Sequence, residues 1–242
     1  MTDKVEILGV KVDSVTMRQA VEFVENLIAA KKNSIVATAN AEMLMMATHD
    51  AELKQILNSA ELVVPDGAGT VWAAHHLGHE MPERVAGFDL VQELMKIAPA
   101  KSIKFFLFGS SPGVAEQAKA KAEELYPGIK IVGTRNGYFK AEDEAEIISQ
   151  IKNSAPDILL AALGVPKQEK WLFKYKEILN VPVSIGVGGT FDVMAGNVKR
   201  APLWMQKAKL EWLFRAMLQP SRAGRLVALP KFVWQVHASK KS

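Results

Sequence analysis

The sequence predicts an α/β fold in which a mainly parallel sheet carries helices on both of its faces. Two observations support this prediction. Apolar runs of strand length alternate with segments of helix length along most of the 242-residue chain. The runs are apolar throughout, which is typical of strands that are buried on both faces of a parallel sheet. A hydrophobic share of 49% and a charged share of 23% are ordinary for a globular protein and exclude a disordered or collagen-like chain.

The individual elements follow from local patterns. A first strand is predicted from Lys4 to Val12, and a capping box of Thr16 and Gln19 opens a helix that runs to about Ala30. Further strands are predicted over Ser34–Ala39, Glu61–Val64, Lys104–Phe108, Lys130–Val132, Ile158–Leu163 and Val183–Val187. Helices are predicted over 41–59, 67–77, 88–98, 113–126, 142–153 and 167–179.

Glycine-rich or polar turns follow the predicted strands. Open parallel sheets bind ligands at the carboxyl ends of their strands, where glycines and helix N-termini let backbone amides approach phosphates. Each turn by itself fits ordinary strand-to-helix geometry better, but several on one edge favour a ligand crevice. The turns are Thr38–Asn40, Pro65–Gly69, Gly109–Gly113, Gly133–Arg135, Gly164–Gln168 and Gly186–Thr190.

Asp66 is the candidate for acid–base chemistry, because it lies between a buried strand and a glycine turn. A carboxylate at this edge faces the crevice and can act as a general base. The alternative is an N-cap for the helix that begins near Gly67, and position alone favours the cap slightly.

Five other residues at strand ends are candidates for binding a sugar or a nucleotide. Thr38 and Asn40 carry short polar groups that hydrogen-bond hydroxyls, although Asn is also common in turns. Gln168 and Glu169 begin a helix and could hold a ribose, a base or a sugar. Their alternative is a solvated first turn, with Glu169 at the positive end of the helix dipole. Gly188 belongs to a glycine turn that could approach a phosphate.

Residues 199–242 differ in charge from the rest of the chain. They contain ten Lys and Arg residues and one acid, a net charge of +9, whereas residues 1–198 have a net charge of −5. Three of the five Trp residues also lie in this segment. A basic, aromatic segment on an acidic body indicates an anionic partner, which could be nucleic acid, an anionic membrane or a phosphorylated substrate. Arg215, Arg222 and Arg225 could neutralise a diphosphate, or they could be lipid-facing or solvated charges.

Several chemistries are excluded or weakened. The chain has no Cys, so disulfides and a Cys nucleophile are excluded, and it has neither a GxGxxG nor a GxxxxGK[ST] motif. Gly78 interrupts the helix that carries His75, His76 and His79, and no nearby acid completes a set of metal ligands, so we expect no metal site and no cofactor. The first residues show no signal peptide, and no apolar run approaches the roughly 18 to 20 residues that span a bilayer.

Taken together, the strand-end motifs resemble those of the WecG/TagA/CpsF glycosyltransferases. The resemblance runs from about residue 5 to Arg225, with the motifs in order. It rests on Thr38–Glu42, Val64–Gly69 with Trp72–Ala74, Pro82–Gly87 with Asp89-Leu90, Gly164–Glu169, Gly186–Asp192, Val198–Pro202, Trp204–Gln206, Leu210–Trp212 and Arg215.

The resemblance implies a Rossmann-like catalytic core, residues 1–198, and an appendage, residues 199–242, that contacts the membrane and completes the active site. It implies an inverting, metal-independent transferase on the inner face of the cell membrane, peripheral rather than spanning. In the TagA branch, UDP-N-acetylmannosamine (UDP-ManNAc) donates to undecaprenyl-diphosphate N-acetylglucosamine (GlcNAc), forming the β-1,4 link of the teichoic acid linkage unit. Catalysis then falls to Asp66 and Arg215, with Thr38 and Gln168 on donor or acceptor and Arg222 and Arg225 on the diphosphate.

Three alternatives stay open at this point. The donor could be UDP-N-acetylmannosaminuronic acid or a UDP-hexose, as in other branches. The protein could be a non-catalytic module that binds a nucleotide sugar or a lipid. A nucleic-acid-binding protein would account for the basic segment but gives the strand-end motifs no role, so we expect no nucleic-acid partner. Whether the chain forms a homo-oligomer is not determined by the sequence.

Overall fold

The computed structural model of the protein describes residues 3–202, 204, 205, 211, 213, 214 and 228–240. Its strands are of two kinds. Two form a short antiparallel hairpin: β1 (Lys4–Ile7) and β2 (Val10–Asp13). Six form the main sheet: β3 (Ser34–Ala39), β4 (Leu62–Pro65), β5 (Lys104–Gly109), β6 (Lys130–Arg135), β7 (Ile158–Ala162) and β8 (Val183–Gly186).

Helices connect these strands, with a short 3-10 turn at Ala141–Asp143. On the amino-terminal side they are α1 (Met17–Ala30), α2 (Ala41–Ala47), α3 (Ala51–Ser59), α4 (Ala68–His76) and α5 (Gly87–Lys101). On the carboxyl-terminal side they are α6 (Val114–Leu125), α7 (Glu144–Ser154), α8 (Lys167–Leu179), α9 (Thr190–Met194) and α10 (Ala228–Ser239).

The main sheet has the order β4-β3-β8-β7-β5-β6, and every neighbouring pair is parallel. All six carboxyl ends therefore lie at the same edge of the sheet. This arrangement confirms the predicted α/β fold with a mainly parallel, Rossmann-like sheet. The capping box at the start of α1 is also confirmed, because the Thr16 side chain accepts from the Gln19 amide and the Gln19 side chain accepts from the Thr16 amide.

Two hydrophobic cores cover the two faces of the sheet, because successive side chains of a strand point to opposite faces. In β3, Ile35 belongs to one core and Val36 to the other. The first core is formed with the hairpin and with α2, α3, α4, α7, α8 and α10, and the second with α1, α5, α6 and α9. Helices on both faces are therefore confirmed.

The amino-terminal strand is shorter than predicted. The run from Lys4 to Val12 is a hairpin and not one strand, because the chain turns at Leu8 and Gly9, both of which have positive φ. β2 lies beside β4, the outermost strand of the sheet. The buried carboxylate of Asp13 accepts a hydrogen bond from the Val63 amide at 2.7 Å, which fastens the hairpin to that strand.

The helix predicted over 41–59 is two helices. The first one ends at Ala47, and Asp50 then caps the second by accepting a hydrogen bond from the Leu53 amide at 3.0 Å. The sequence prediction is wrong here because a side-chain cap competes with continuation of the preceding helix.

The chain near Pro230 is also more regular than expected. Proline commonly breaks a helix, but Pro230 lies in the first turn of α10, where a missing amide hydrogen costs nothing. Phe232 and Val236, one turn apart, are buried in the core, and α10 packs against α2 and α4. Trp234 on the same helix is exposed.

Candidate active site

The strand order decides which of the predicted site residues meet. Because β4, β3, β8 and β7 are neighbours, the turns after these four strands lie side by side at the carboxyl edge. Those turns carry Asp66, Asn40, Gly188 and Gln168 respectively. Residues from four well-separated stretches of sequence are thus brought to one edge, as ligand sites of open parallel sheets are.

Asp66 follows β4 directly and is half-buried. Its amide donates to the carbonyl of Ala39 at 2.9 Å, which ties it to the end of the neighbouring strand β3. The N-cap residue of α4 is Gly67, at φ +104°, which has no side chain with which to cap the helix. The N-cap position that was considered for Asp66 is therefore occupied by Gly67. The positive φ of Gly67 turns the chain sharply, and an L side chain rarely adopts it.

Thr38 is the last polar side chain of β3 and is buried. Its hydroxyl donates to the carbonyl of Gly186 on β8 at 3.3 Å, so it links two strands at the edge. Asn40 is half-buried and caps α2, since its side-chain oxygen accepts from the Met43 amide at 3.0 Å. The turn chemistry considered for Asn40 is thus present, and its role towards a ligand stays a prediction.

Gln168 joins the turns after β7 and β8. Its side-chain oxygen Oε1 accepts hydrogen bonds from the amides of Gly164 and Gly188, each at 3.1 Å. The side chain is only 1% exposed, so the solvated first turn considered for this helix is wrong. A buried amide with two backbone donors on its oxygen is well satisfied and holds both turns in place.

Glu169, the next residue of α8, is also buried. Its Oε1 accepts from Nε2 of Gln168 at 2.7 Å, and its Oε2 has no hydrogen-bond partner among the described residues. Loss of hydration disfavours the charged carboxylate and raises the pKa of Glu169 to about 7, although the hydrogen bond from Gln168 opposes this.

A cluster of four charged side chains flanks this edge and has no predicted role. Arg200 binds Asp89 through two hydrogen bonds of 2.6 and 2.8 Å, and Glu211 accepts from Arg84 at 3.2 Å and from Arg200 at 3.5 Å. The Val85 amide donates to the carbonyl of Pro65, which places Arg84 beside the carboxyl end of β4, the strand that Asp66 follows. The four residues lie within the motifs that carry the family resemblance, but the pairs Arg200–Asp89 and Arg84–Glu211 each join residues that are more than 100 positions apart.

His75 and His76, two of the histidines considered as metal ligands, make contacts with neighbouring protein groups. His75 Nε2 contacts the carbonyl oxygen of Met81 at 3.1 Å, and His76 stacks on Trp72 and contacts His237 of α10. Among the described residues, no group of three His, Asp or Glu side chains is arranged to hold a metal ion.

Three predicted site residues, Arg215, Arg222 and Arg225, lie outside the described residues, as does Trp212. Trp204 is described and is 65% exposed. In the described part of the chain, no helix combines the length and the hydropathy that crossing a bilayer requires.

Comparison with known proteins agrees with the motifs. A model of the glycosyl transferase WecG/TagA/CpsF family matches residues 5–242. The chain belongs to this family.

A curated relative from Staphylococcus aureus (strain NCTC 8325 / PS 47) is 36% identical over 242 residues, 99% of this chain and 94% of the relative. One from Bacillus subtilis (strain 168) is 36% identical over 218 residues, 90% of this chain and 84% of the relative. Both are named N-acetylglucosaminyldiphosphoundecaprenol N-acetyl-beta-D-mannosaminyltransferase. As a member of the WecG/TagA/CpsF family, the protein is a glycosyltransferase.

Proposed function

We propose that the protein transfers N-acetylmannosamine from UDP-ManNAc to undecaprenyl-diphosphate GlcNAc, a step in making the linkage unit of teichoic acid. The observation that carries the proposal is the identity of 36%, over nearly the full length of both chains, to a transferase named for this reaction. The strand order, which brings the turns after β4, β3, β8 and β7 side by side at one edge, supports it. The reaction forms a β-1,4 link with inversion at the anomeric carbon.

In the proposed mechanism, the acceptor C4 hydroxyl attacks C1 of the mannosamine from the face opposite UDP. Asp66 takes the hydroxyl proton as the C–O bond forms, and the bond from C1 to the diphosphate oxygen breaks. UDP leaves with the electron pair of that bond. Half-burial at a strand end supports this role, since a base must both reach substrate and be held in position.

Binding of the substrates is assigned to the other residues of the edge. We propose that Thr38, Asn40, Gln168 and Gly188 contact donor or acceptor, where exposed backbone amides favour phosphate oxygens. Arg215 is proposed to act in catalysis, and Arg222 and Arg225 to bind the UDP diphosphate, because guanidinium groups can neutralise a leaving diphosphate without a metal. These three arginines are assigned from the sequence alone.

We further propose that residues 199–242 form an appendage that binds the inner face of the cell membrane, where the lipid-linked acceptor resides. The net charge of +9 supports attraction to an anionic leaflet, at about 1 kcal/mol for each basic residue close to the surface. Exposed Trp204 and Trp234 suit the headgroup level of a membrane.

The test is turnover by the purified, full-length protein with a soluble short-chain lipid-diphosphate GlcNAc acceptor. A panel of UDP-ManNAc, UDP-N-acetylmannosaminuronic acid, UDP-GlcNAc and UDP-glucose is supplied, and UDP release and the disaccharide-lipid are measured. We expect both products with UDP-ManNAc only when the acceptor is present. Faster turnover of another donor would replace the proposed sugar, and binding without turnover of any donor would favour a non-catalytic module.

A further inference from the structure

Gln168 and Glu169 form a buried, hydrogen-bonded pair. Direct contact between Gln168 and a substrate would not by itself require this pair. Glu169 is 2% exposed, and its Oε1 accepts a hydrogen bond from Gln168. A buried carboxylate with one unpartnered oxygen destabilises the fold. Its presence here therefore indicates a role that an apolar side chain could not perform.

The orientation of the Gln168 amide shows what the carboxylate does. Oε1 faces two backbone donors, the amides of Gly164 and Gly188. The reversed amide would place its NH₂ group against those two N–H groups, so only one orientation satisfies both turns. In that orientation Nε2 meets Oε1 of Glu169 at 2.7 Å, and the carboxylate supplies the acceptor that this end of the amide needs.

Glycine at position 186 makes room for this pair. A Cβ at Gly186 would lie 2.6 Å from Nε2 of Gln168 and 2.7 Å from Oε1 of Glu169. The two side chains therefore pack directly against the backbone of β8. They occupy the space that a side chain at position 186 would fill, and this close packing restricts their rotation.

We propose that Glu169 is a positioning residue for the transfer reaction. By accepting from Gln168, it fixes the amide so that Gln168 holds the turns after β7 and β8 in the geometry that the substrate needs. This inference rests on the proposed function, because it assumes that those turns contact the substrate.

Two replacements at Glu169 separate orientation from other roles. Glu169→Gln keeps an oxygen that can accept from Gln168 but cannot take a proton. Glu169→Met keeps the length and an unbranched shape but removes the acceptor. We expect Glu169→Gln to hold kcat within about threefold of the wild type, and Glu169→Met to lower it by about ten- to a hundredfold, since small misplacements are that costly.

A double-variant cycle tests whether Glu169 acts through Gln168. We expect Gln168→Ala to lower kcat, and Glu169→Met to cause no further loss when it is added to Gln168→Ala. Glu144→Met is the matched control, because Glu144 also bonds α8 but does so through Lys174 and Tyr175, away from Gln168. It should leave kcat per folded protein at the wild-type value.

Each outcome is decisive. Wild-type kcat in Glu169→Met, equal losses in Glu169→Gln and Glu169→Met, or additive losses in the cycle would overturn the proposal. An unaffected Gln168→Ala would instead count against the substrate-binding role in the proposed function.

Hydrogen exchange gives a readout apart from activity: protection at the Gly164 and Gly188 amides should be kept in Glu169→Gln and lost in Glu169→Met. If Glu169→Met does not fold, Glu169→Leu takes its place.

Discussion

The two halves of the strand-end edge differ in how deeply their polar side chains are buried. In the Asp66 half, formed by the turns after β3 and β4, Asp66 and Asn40 are half-buried. In the Gln168 half, formed by the turns after β7 and β8, Gln168 and Glu169 are buried and bonded to each other and to backbone amides. Thr38 joins the halves by its bond to Gly186.

This difference separates two tasks. A group that exchanges a proton with a substrate has to be reached by that substrate, and Asp66 is only half-buried. A group that only fixes the position of a turn works best when water cannot compete for its hydrogen bonds. Changes in the Asp66 half should therefore affect turnover most, and changes in the Gln168 half should also affect stability.

Asp66→Asn is expected to have the largest effect. It keeps size and hydrogen-bonding capacity but cannot accept a proton at neutral pH, so turnover should fall about 100- to 10,000-fold. The thermal midpoint should stay near that of the wild type. Asp50→Asn is the matched control, since Asp50 is also half-buried and Asn caps a helix as well as Asp does. Retention of more than about half the activity in Asp66→Asn would place the base elsewhere.

Glu169→Gln should reveal the cost of the buried carboxylate as a pH-dependent stability. The pKa is raised by burial from 4.5 to about 7, so the folded protein binds this proton more tightly than the unfolded chain does. Stability from this group is therefore full below about pH 4.5 and is lost as the pH rises to about 7.

The free energy of unfolding of the wild type, relative to Glu169→Gln, should thus fall by about 3 kcal/mol between pH 4 and pH 9. Denaturant unfolding of both proteins across this range measures the difference, and other titrating groups cancel in the comparison. If the free energies of unfolding of the two proteins changed in parallel with pH, Glu169 would have the same pKa in the folded and unfolded states and would not be desolvated.

Gly186→Ala should disturb both halves at a moderate level. The added methyl group meets the buried amide of Gln168 and the carboxylate of Glu169, and overpacking of this kind costs about 1–3 kcal/mol. We expect a lower unfolding midpoint and a lower kcat per folded protein. Gly133→Ala is the matched control, because its added Cβ would lie 2.4 Å from the ring of Phe106, in a strand that carries none of the proposed site residues. Equal kcat in the two variants would mean that the pair tolerates displacement.

Removal of divalent metal is expected to have the smallest effect, which is none. In the proposed mechanism a single carboxylate, that of Asp66, acts as the base, and the leaving diphosphate is assigned to arginines. Turnover of the soluble acceptor should be unchanged in excess EDTA. Loss of turnover that magnesium or manganese restores would require a metal at this edge and would refute the assignment to arginines.

The sequence predicts the strands of this fold well, because short, uniformly apolar runs such as Ile158–Leu163 are typical of strands buried on both faces. It predicts which residues follow each strand, and so it finds Asp66 and Gln168. It does not predict the order β4-β3-β8-β7, since parallel strands are joined by crossovers that leave neighbours undetermined.

Burial of Glu169 is not predictable from the sequence either. A glutamate in the first turn of a helix is usually solvated and favoured by the helix dipole, and nothing local shows that Gly186 lies against it. The break at Asp50 escapes prediction for a related reason, because the apolar pattern continues across it and only the side-chain cap interrupts the helix. Burial of Glu169 depends on contacts between distant segments, and the break depends on one side-chain hydrogen bond.

The hairpin at the amino terminus has a consequence for how the protein behaves in a crowded cell. β4 is the outermost strand of the sheet, and the open side of such a strand invites pairing with a strand of another molecule. Asp13 occupies the Val63 amide on that side, and β2 lies alongside it. The lateral side of β4, the strand that Asp66 follows, is thereby shielded from pairing with a strand of another molecule.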